Sequence, residues 1–86
     1  MPESITILIT NEGKKSLGKL PKEAQRTILK KIVEYNNKPE LITSQIKHMT
    51  DSRPPMTRLR IGNFRAVGRI VGSELHLDIF LDRKNL

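Results

Sequence analysis

Between residues 58 and 81 polar and apolar side chains alternate, and two dipeptides suited to tight turns, Gly62-Asn63 and Gly72-Ser73, interrupt the alternation. Period-two alternation marks a half-buried strand, and a Gly-containing pair between two such runs marks a hairpin. The segment is predicted as a three-stranded antiparallel meander over residues 58–61, 64–71 and 74–81. Two-residue turns also set the register. The first pairs Ile61 with Phe64, Arg60 with Arg65 and Leu59 with Ala66. The second pairs Ile70 with Leu75, Arg69 with His76, Gly68 with Leu77 and Val67 with Asp78. Directly paired residues share a face. One face then holds Leu59, Ile61, Phe64, Ala66, Gly68, Ile70, Leu75, Leu77, Ile79 and Leu81, none of them charged. The other holds Arg58, Arg60, Arg65, Val67, Arg69, Val71, Glu74, His76, Asp78 and Phe80. A slip of one residue in either hairpin would mix the two sets.

The apolar face needs a cover, and the first half of the chain offers one. Residues 4–10 are rich in β-branched side chains and read as a strand, broken by Asn11-Glu12-Gly13. Residues 14–20 read as a short helix with Leu17 and Leu20 facing inward. Pro21 closes that element and suits the first turn of the next. From Lys22 to Tyr35 the positions Ala24, Ile28, Leu29, Ile32, Val33 and Tyr35 follow helical spacing, with Lys22, Arg26, Lys30 and Lys31 outside the stripe. Asn36-Asn37-Lys38-Pro39 ends the helix. Residues 40–49 are ambiguous; Leu41, Ile42 and Ile46 can support a short helical turn. Asp51-Ser52-Arg53-Pro54-Pro55 reads as a loop between a mostly helical and a mostly strand half. The expected fold class is α+β: one domain over residues 1–86, two layers, order β-α-α-β-β-β, with a helical hairpin on one face of an antiparallel sheet.

The net charge of +7 on 86 residues raises the prospect of a polyanionic partner, although solvation alone uses charges of this size. Its distribution is more telling. Residues 14–31 hold seven Lys or Arg and one Glu; residues 53–69 hold five Arg and no acid. Four of those five share the polar sheet face. Arg60 and Arg65, directly opposite each other, destabilise the sheet unless an anion lies between them. A phosphate fits, since the guanidinium fork matches its oxygens. Arg69 adds a further phosphate contact. His76, near Asp78 on the same face, is a possible proton-transfer group. His48 receives no role, and Met49 and Met56 fill gaps.

Other classes recede. No His, Cys or carboxylate cluster has metal-ligand spacing, so no metal and no cofactor are expected. Phosphate-loop and dinucleotide fingerprints are absent. Tyr35 and Phe80 are too few for a base-stacking platform. No apolar run exceeds the three residues of 7–9 and 79–81, so no membrane partner is expected. The absence of Cys suits a reducing, cytoplasmic setting.

Three stretches carry a family resemblance. Leu20-Pro21-Lys22-Glu23-Ala24 with its basic helix, the run from Arg58 through Gly62-Asn63-Phe64-Arg65 to Val67, and the closing Asp82-Arg83-Lys84-Asn85-Leu86 resemble the RelE/ParE superfamily of bacterial toxins. The resemblance spans nearly the whole chain, and the predicted element order matches that family. It implies a type II toxin neutralised by a cognate antitoxin, the pair binding operator DNA through the antitoxin. RelE-like members are ribosome-dependent mRNA endonucleases, working without metal and using the RNA 2′-hydroxyl as nucleophile. ParE-like members poison DNA gyrase instead.

Matched position by position, the resemblance places Arg58, Arg65 and Arg83 on catalytic positions for phosphate binding and charge stabilisation, with Arg60 and Lys84 as further RNA-phosphate contacts. Met56 stands where the family has a second catalytic lysine, and Gly68 replaces a frequent aromatic. The family's Tyr, four residues after the Arg matched by Arg83, falls at position 87, one past Leu86. The resemblance thus implies an mRNA interferase first, with a gyrase inhibitor or a non-toxic antitoxin-binding module as alternatives.

Overall fold

Strand β1 (Thr6–Ile9) buries Ile7 and turns Thr6 and Leu8 outward, the alternation of a sheet with one covered face. The computed structural model describes residues 4–49 and 56–85. Helix α1 (Asn11–Gly18) follows at once. Thr10 is its N-cap: the Thr10 hydroxyl accepts from the Gly13 amide at 3.0 Å, and Glu12 lies in the first, electropositive turn. Asn11-Glu12-Gly13 ends the strand, as expected, and also opens the helix, which starts at residue 11 rather than 14. Gly13 is required there by contact. A Cβ at this position would sit 2.1 Å from the Leu77 carbonyl oxygen, so only glycine lets α1 lie this close to the sheet.

Helix α2 (Lys22–Asn37) buries Ala24, Ile28, Ile32 and Tyr35, a 3.6-period stripe against the sheet. Leu29 and Val33, expected on that stripe, are 44% and 59% exposed. Asn36, at the end of α2, holds the backbone of the edge strand β1. Its Oδ1 accepts from the Ile7 amide at 2.7 Å and its Nδ2 donates to the Ile7 carbonyl at 3.1 Å. This occupies backbone groups that an edge strand otherwise leaves open.

After a 3-10 turn, Pro39–Leu41, the chain enters strand β2 (Ile46–Met49) where a helical turn was an open reading. Strands β3 (Met56–Ile61), β4 (Phe64–Val71) and β5 (Glu74–Asp82) complete one five-stranded sheet in the order β1-β5-β4-β3-β2. β1 runs parallel to β5 and the other pairs are antiparallel. The two-layer α+β arrangement is as expected, in the order β-α-α-β-β-β-β. The expected three-strand meander forms the centre of a larger, mixed sheet. The Asp51–Pro55 loop reading, with Arg53, lies outside the described residues.

The first hairpin has the expected register throughout: Ile61 faces Phe64, Arg60 faces Arg65 and Leu59 faces Ala66. Gly62 and Gly72 have φ of +58° and +62°, the left-handed turn conformation that glycine adopts without strain. The second hairpin agrees as far as Gly68–Leu77 and then shifts, so that Val67 faces Ile79 rather than Asp78. Asp78 is the extra residue of a β-bulge. One inserted residue reverses every side chain beyond it. Phe80, expected on the charged face, is 3% exposed and belongs to the core, whereas Ile79 is 42% exposed on the opposite face, with Leu81. Helix α1 holds the bulge in place. The Thr10 hydroxyl donates to the Asp78 carboxylate at 2.6 Å, and Ser16 Oγ accepts from the Phe80 amide at 2.8 Å. Gly68 permits the close pairing just before the bulge, since a Cβ there would meet the His76 carbonyl oxygen at 1.9 Å.

The core lies between the helices and one sheet face: Ile7, Leu17, Ile28, Ile32, Leu59, Ile61, Ala66, Leu75, Leu77 and Phe80 are its main members. Among the described residues no helix covers the other sheet face, and the charged strand residues stand there.

Candidate functional site

The basic residues of the open face converge at one end of the sheet. Arg58 and Arg60 come from β3, Arg65 from β4, Lys47 from β2, and Arg83 from the 3-10 turn after β5 (Arg83–Asn85). Together with Ser44, Gln45 and Ile46 they line a cleft of about 390 Å³. Lys47 stands directly across from Arg58, and Arg60 directly across from Arg65. Among the described residues the lining holds five cations and no carboxylate.

Backbone contacts bring these side chains together. The Arg83 amide donates to the Asn63 carbonyl at 2.9 Å, tying the end of β5 to the first hairpin turn. The Arg60 amide donates to the Gln45 carbonyl at 2.8 Å, drawing the chain ahead of β2 against β3. Arg65 forms the floor and is only 7% exposed. Its Nη1 donates to the carbonyls of Gly62 at 3.1 Å and Phe64 at 2.8 Å, so the guanidinium is fixed by the turn it follows. Burial, and then the charges of Arg60, Arg83 and Arg58, pull its pKa below the usual arginine value. Burial is the larger cause, and the three neighbouring guanidiniums add to it.

The remaining candidates stand elsewhere. Arg69 faces His76 beyond the bulge and pairs through Nε with Asp78 at 3.5 Å. His76 Nε2 lies 3.1 Å from Glu74 Oε1. Neither residue lines the cleft. Lys84 lines a neighbouring hollow of about 410 Å³ with Asn63, Phe64, Asp82 and Arg83. The sequence register puts Arg58, Arg60, Arg65 and Arg69 on one face, and the resemblance adds Arg83. The structure gathers Arg58, Arg60, Arg65 and Arg83 in the cleft, leaves Arg69 outside it, and adds Lys47, Ser44 and Gln45, which the sequence reading misses. The available signal is Ile46-Lys47-His48-Met49, where Ile46 faces Leu59 and Lys47 faces Arg58. Four residues are too short a run to separate a strand from a helical turn by period alone. Among the described residues no three His, Asp or Glu side chains gather as a metal-ligand set, and no helix is long and apolar enough to cross a membrane.

Solved structures share this architecture. A chain of the toxin–antitoxin complex RelBE2 from Mycobacterium tuberculosis aligns with a TM-score of 0.72 at 17% identity, over 93% of this chain and 99% of that one. The fold is RelE-like. A chain of the archaeal RelE–RelB complex from Pyrococcus horikoshii OT3 aligns with a TM-score of 0.62, also at 17% identity, over 96% of this chain and 99% of that one. No family model matches the sequence, and no curated protein matches it significantly. Within this RelE-like fold, the cleft is built at the end of the sheet where β2, β3, β4 and the segment after β5 come together.

Proposed function

We propose that this protein is the toxin of a type II toxin–antitoxin pair and that its cationic cleft holds the scissile phosphate of ribosome-bound mRNA for cleavage by the RNA's own 2′-hydroxyl. The observation that carries the reading is the cleft itself: among the described residues, five cations and no carboxylate, on a RelE-like fold. The 2′-oxygen attacks phosphorus, the bond to the 5′-oxygen breaks, and a 2′,3′-cyclic phosphate and a 5′-hydroxyl result. Negative charge grows on the phosphorane oxygens and on the leaving oxygen. Positive groups already fixed around those positions stabilise that charge without reorganising, the largest source of catalysis in most such sites.

The residue roles follow from placement. Arg65, held by two carbonyls, supplies fixed charge at the floor. Arg58 and Lys47 face each other on one side and bind a non-bridging oxygen between them. Arg83, beside the hairpin turn, faces the leaving oxygen. Among the described residues the lining contains no imidazole or carboxylate, so the work of these side chains is electrostatic, and water takes the 2′-proton and returns a proton to the leaving 5′-oxygen. A cognate antitoxin is the protein partner. Exposed Leu8, Val71 and Ile79 on the uncovered sheet face support such a contact. Operator DNA binding would run through the antitoxin, and the site of action is the cytoplasm.

The test is induced expression followed by primer extension on cellular transcripts. Cleaved mRNA accompanying growth arrest, absent with Arg58→Ala, is the expected result. Intact mRNA during arrest would overturn the nuclease reading. Loss of gyrase supercoiling in that case would identify the ParE-like alternative, and harmless expression would identify a non-toxic module.

A further inference from the structure

A second hollow adjoins the cationic cleft. It measures about 290 Å³ and is lined by Lys31, Glu34, Tyr35, Leu41, Ser44, Gln45, Arg60 and Gly62. Arg60, Ser44 and Gln45 line both spaces, so Arg60 is a shared wall. The two differ in chemistry. Among the described residues the only charged groups of the cleft are cations, whereas the hollow sets the Glu34 carboxylate beside Lys31 and Arg60, with an aromatic ring and an aliphatic side chain. Glu34 would repel a second phosphate. Lys31 Nζ and Glu34 Oε2 lie 3.6 Å apart, and both side chains are exposed enough to turn towards a ligand. The Tyr35 hydroxyl donates to the Arg60 carbonyl at 3.0 Å, which fixes the phenol and the backbone of the shared wall. The volume suits a single flat ring system; it lies just under the range of about 300–1,000 Å³ typical of larger ligands.

We infer that this hollow is a nucleobase subsite, in which a base attached to the phosphate held in the cleft lies beside the Arg60 guanidinium and is read by Glu34 and Lys31. The inference rests on the reading of the cleft as an RNA-phosphate site. Unpaired RNA bases commonly stack on aromatic rings or guanidinium planes and are read along their pairing edges. Glu34 accepts from an exocyclic amino group, and Lys31 donates to the neighbouring ring nitrogen or carbonyl. Adenine and cytosine present that donor-then-acceptor order. Uracil places a carbonyl oxygen against the Glu34 carboxylate and is disfavoured.

Fluorescence anisotropy with labelled ribohexamers of A, C and U tests this. The wild-type protein should bind the A and C hexamers at least about fivefold more tightly than the U hexamer, the lower end of discrimination by a correctly placed polar pair. Glu34→Gln is close in shape at an exposed position, and its amide can also donate. This variant should bring the three affinities within about twofold of one another. Equal affinities in the wild type, or a preference that persists in Glu34→Gln, would overturn the base subsite. Arg58→Ala separates the two layers of the argument, since it should weaken all three hexamers alike. Unchanged binding in that variant would overturn the phosphate cleft itself.

Discussion

If the five cleft cations neutralise RNA phosphates, salt should weaken binding by a calculable amount. Each phosphate neutralised on a single strand contributes about −0.7 to the slope of log affinity against log salt, so five give about −3.5. Raising salt from about 50 to about 200 mM should then cost about 130-fold in affinity. Arg58 is half-buried, and no side-chain hydrogen bond of the turn depends on it, so Arg58→Ala removes one contact with little risk to the fold. The variant's slope should shrink to about −2.8, and the same salt step should cost about 50-fold. Arg69→Ala is the comparison. Its charge is offset by Asp78 at 3.5 Å outside the cleft, so the slope should stay at the wild-type value. Anisotropy titrations of a labelled ribohexamer at four or five salt concentrations measure all three slopes. A flat wild-type response would refute the contact model, returning the basic face to a solvated surface. Equal reductions from Arg58→Ala and Arg69→Ala would refute the convergence on one cleft.

The β-bulge can be tested through stability. Phe80→Ala should cost about 3–5 kcal/mol in urea denaturation because Phe80 is core, while Ile79→Ser should stay within about 0.5 kcal/mol; uninterrupted alternation demands the reverse. Gly68→Ala should cost about 3 kcal/mol or more, since its Cβ meets backbone at 1.9 Å, whereas Gly18→Ala, with nothing within 4 Å, should stabilise by about 0.5–1 kcal/mol. Tyr35 has its pKa raised by burial and by Glu34, against Arg60, so its stabilising contribution is complete below the unfolded value of about 10 and is lost as pH rises through the folded value. Tyr35→Phe should therefore lose about 1 kcal/mol at pH 7 and show a smaller further loss at pH 11 than the wild type, by denaturation at both pH values. Arg60→Gln should raise the melting temperature of the free protein, by relieving a like-charge pair worth about 0.2–1 kcal/mol, while weakening ribohexamer binding.

Much of this fold is legible in the sequence because two short turns dictate register over long distances. Gly62-Asn63 alone is enough to place Arg58, Arg60 and Arg65 on one face, and the structure keeps that pairing residue for residue. Gly72-Ser73 has the same authority only as far as Gly68. The bulge at Asp78 arises from tertiary contacts, with Thr10 and Ser16 of the helical layer bonding Asp78 and the Phe80 backbone. No local pattern in residues 74–81 announces those partners, and unbroken alternation is the simpler reading. The cap at Thr10 is a different case. Thr10 followed by Asn11-Glu12 carries a helix-start signal, but Gly13 reads as a breaker until its approach to Leu77 is seen. At the site, the sequence identifies the arginines of β3 and β4 but not Lys47. Lys47 depends on a four-residue edge strand whose pairing with β3 is a long-range event.

The same geometry favours a functional over a stabilising role for the cleft. A sheet gains from opposite charges or apolar pairs across its strands and loses from like charges. Here two successive outward-facing rungs, Lys47–Arg58 and Arg60–Arg65, set cation against cation. Asp78 and Glu74 lie on the same open face, yet they engage Arg69 and His76, and among the described residues no carboxylate lines the cleft. Solubility requires no such separation, because dispersed lysines serve it equally well. Arg65 sharpens the contrast. A guanidinium is costly to bury, and a side chain kept only for solvation would point into water. This one is 7% exposed and bonded to two turn carbonyls, so part of its hydrogen bonding is satisfied while its charge remains at the floor of the cleft. A fixed cation beneath four others, with the neutralising acids held at the far end of the face, is an arrangement that becomes favourable when an anion of several oxygens enters. A phosphate of an RNA strand is such an anion, and the adjoining hollow beside Arg60 is where its base would go.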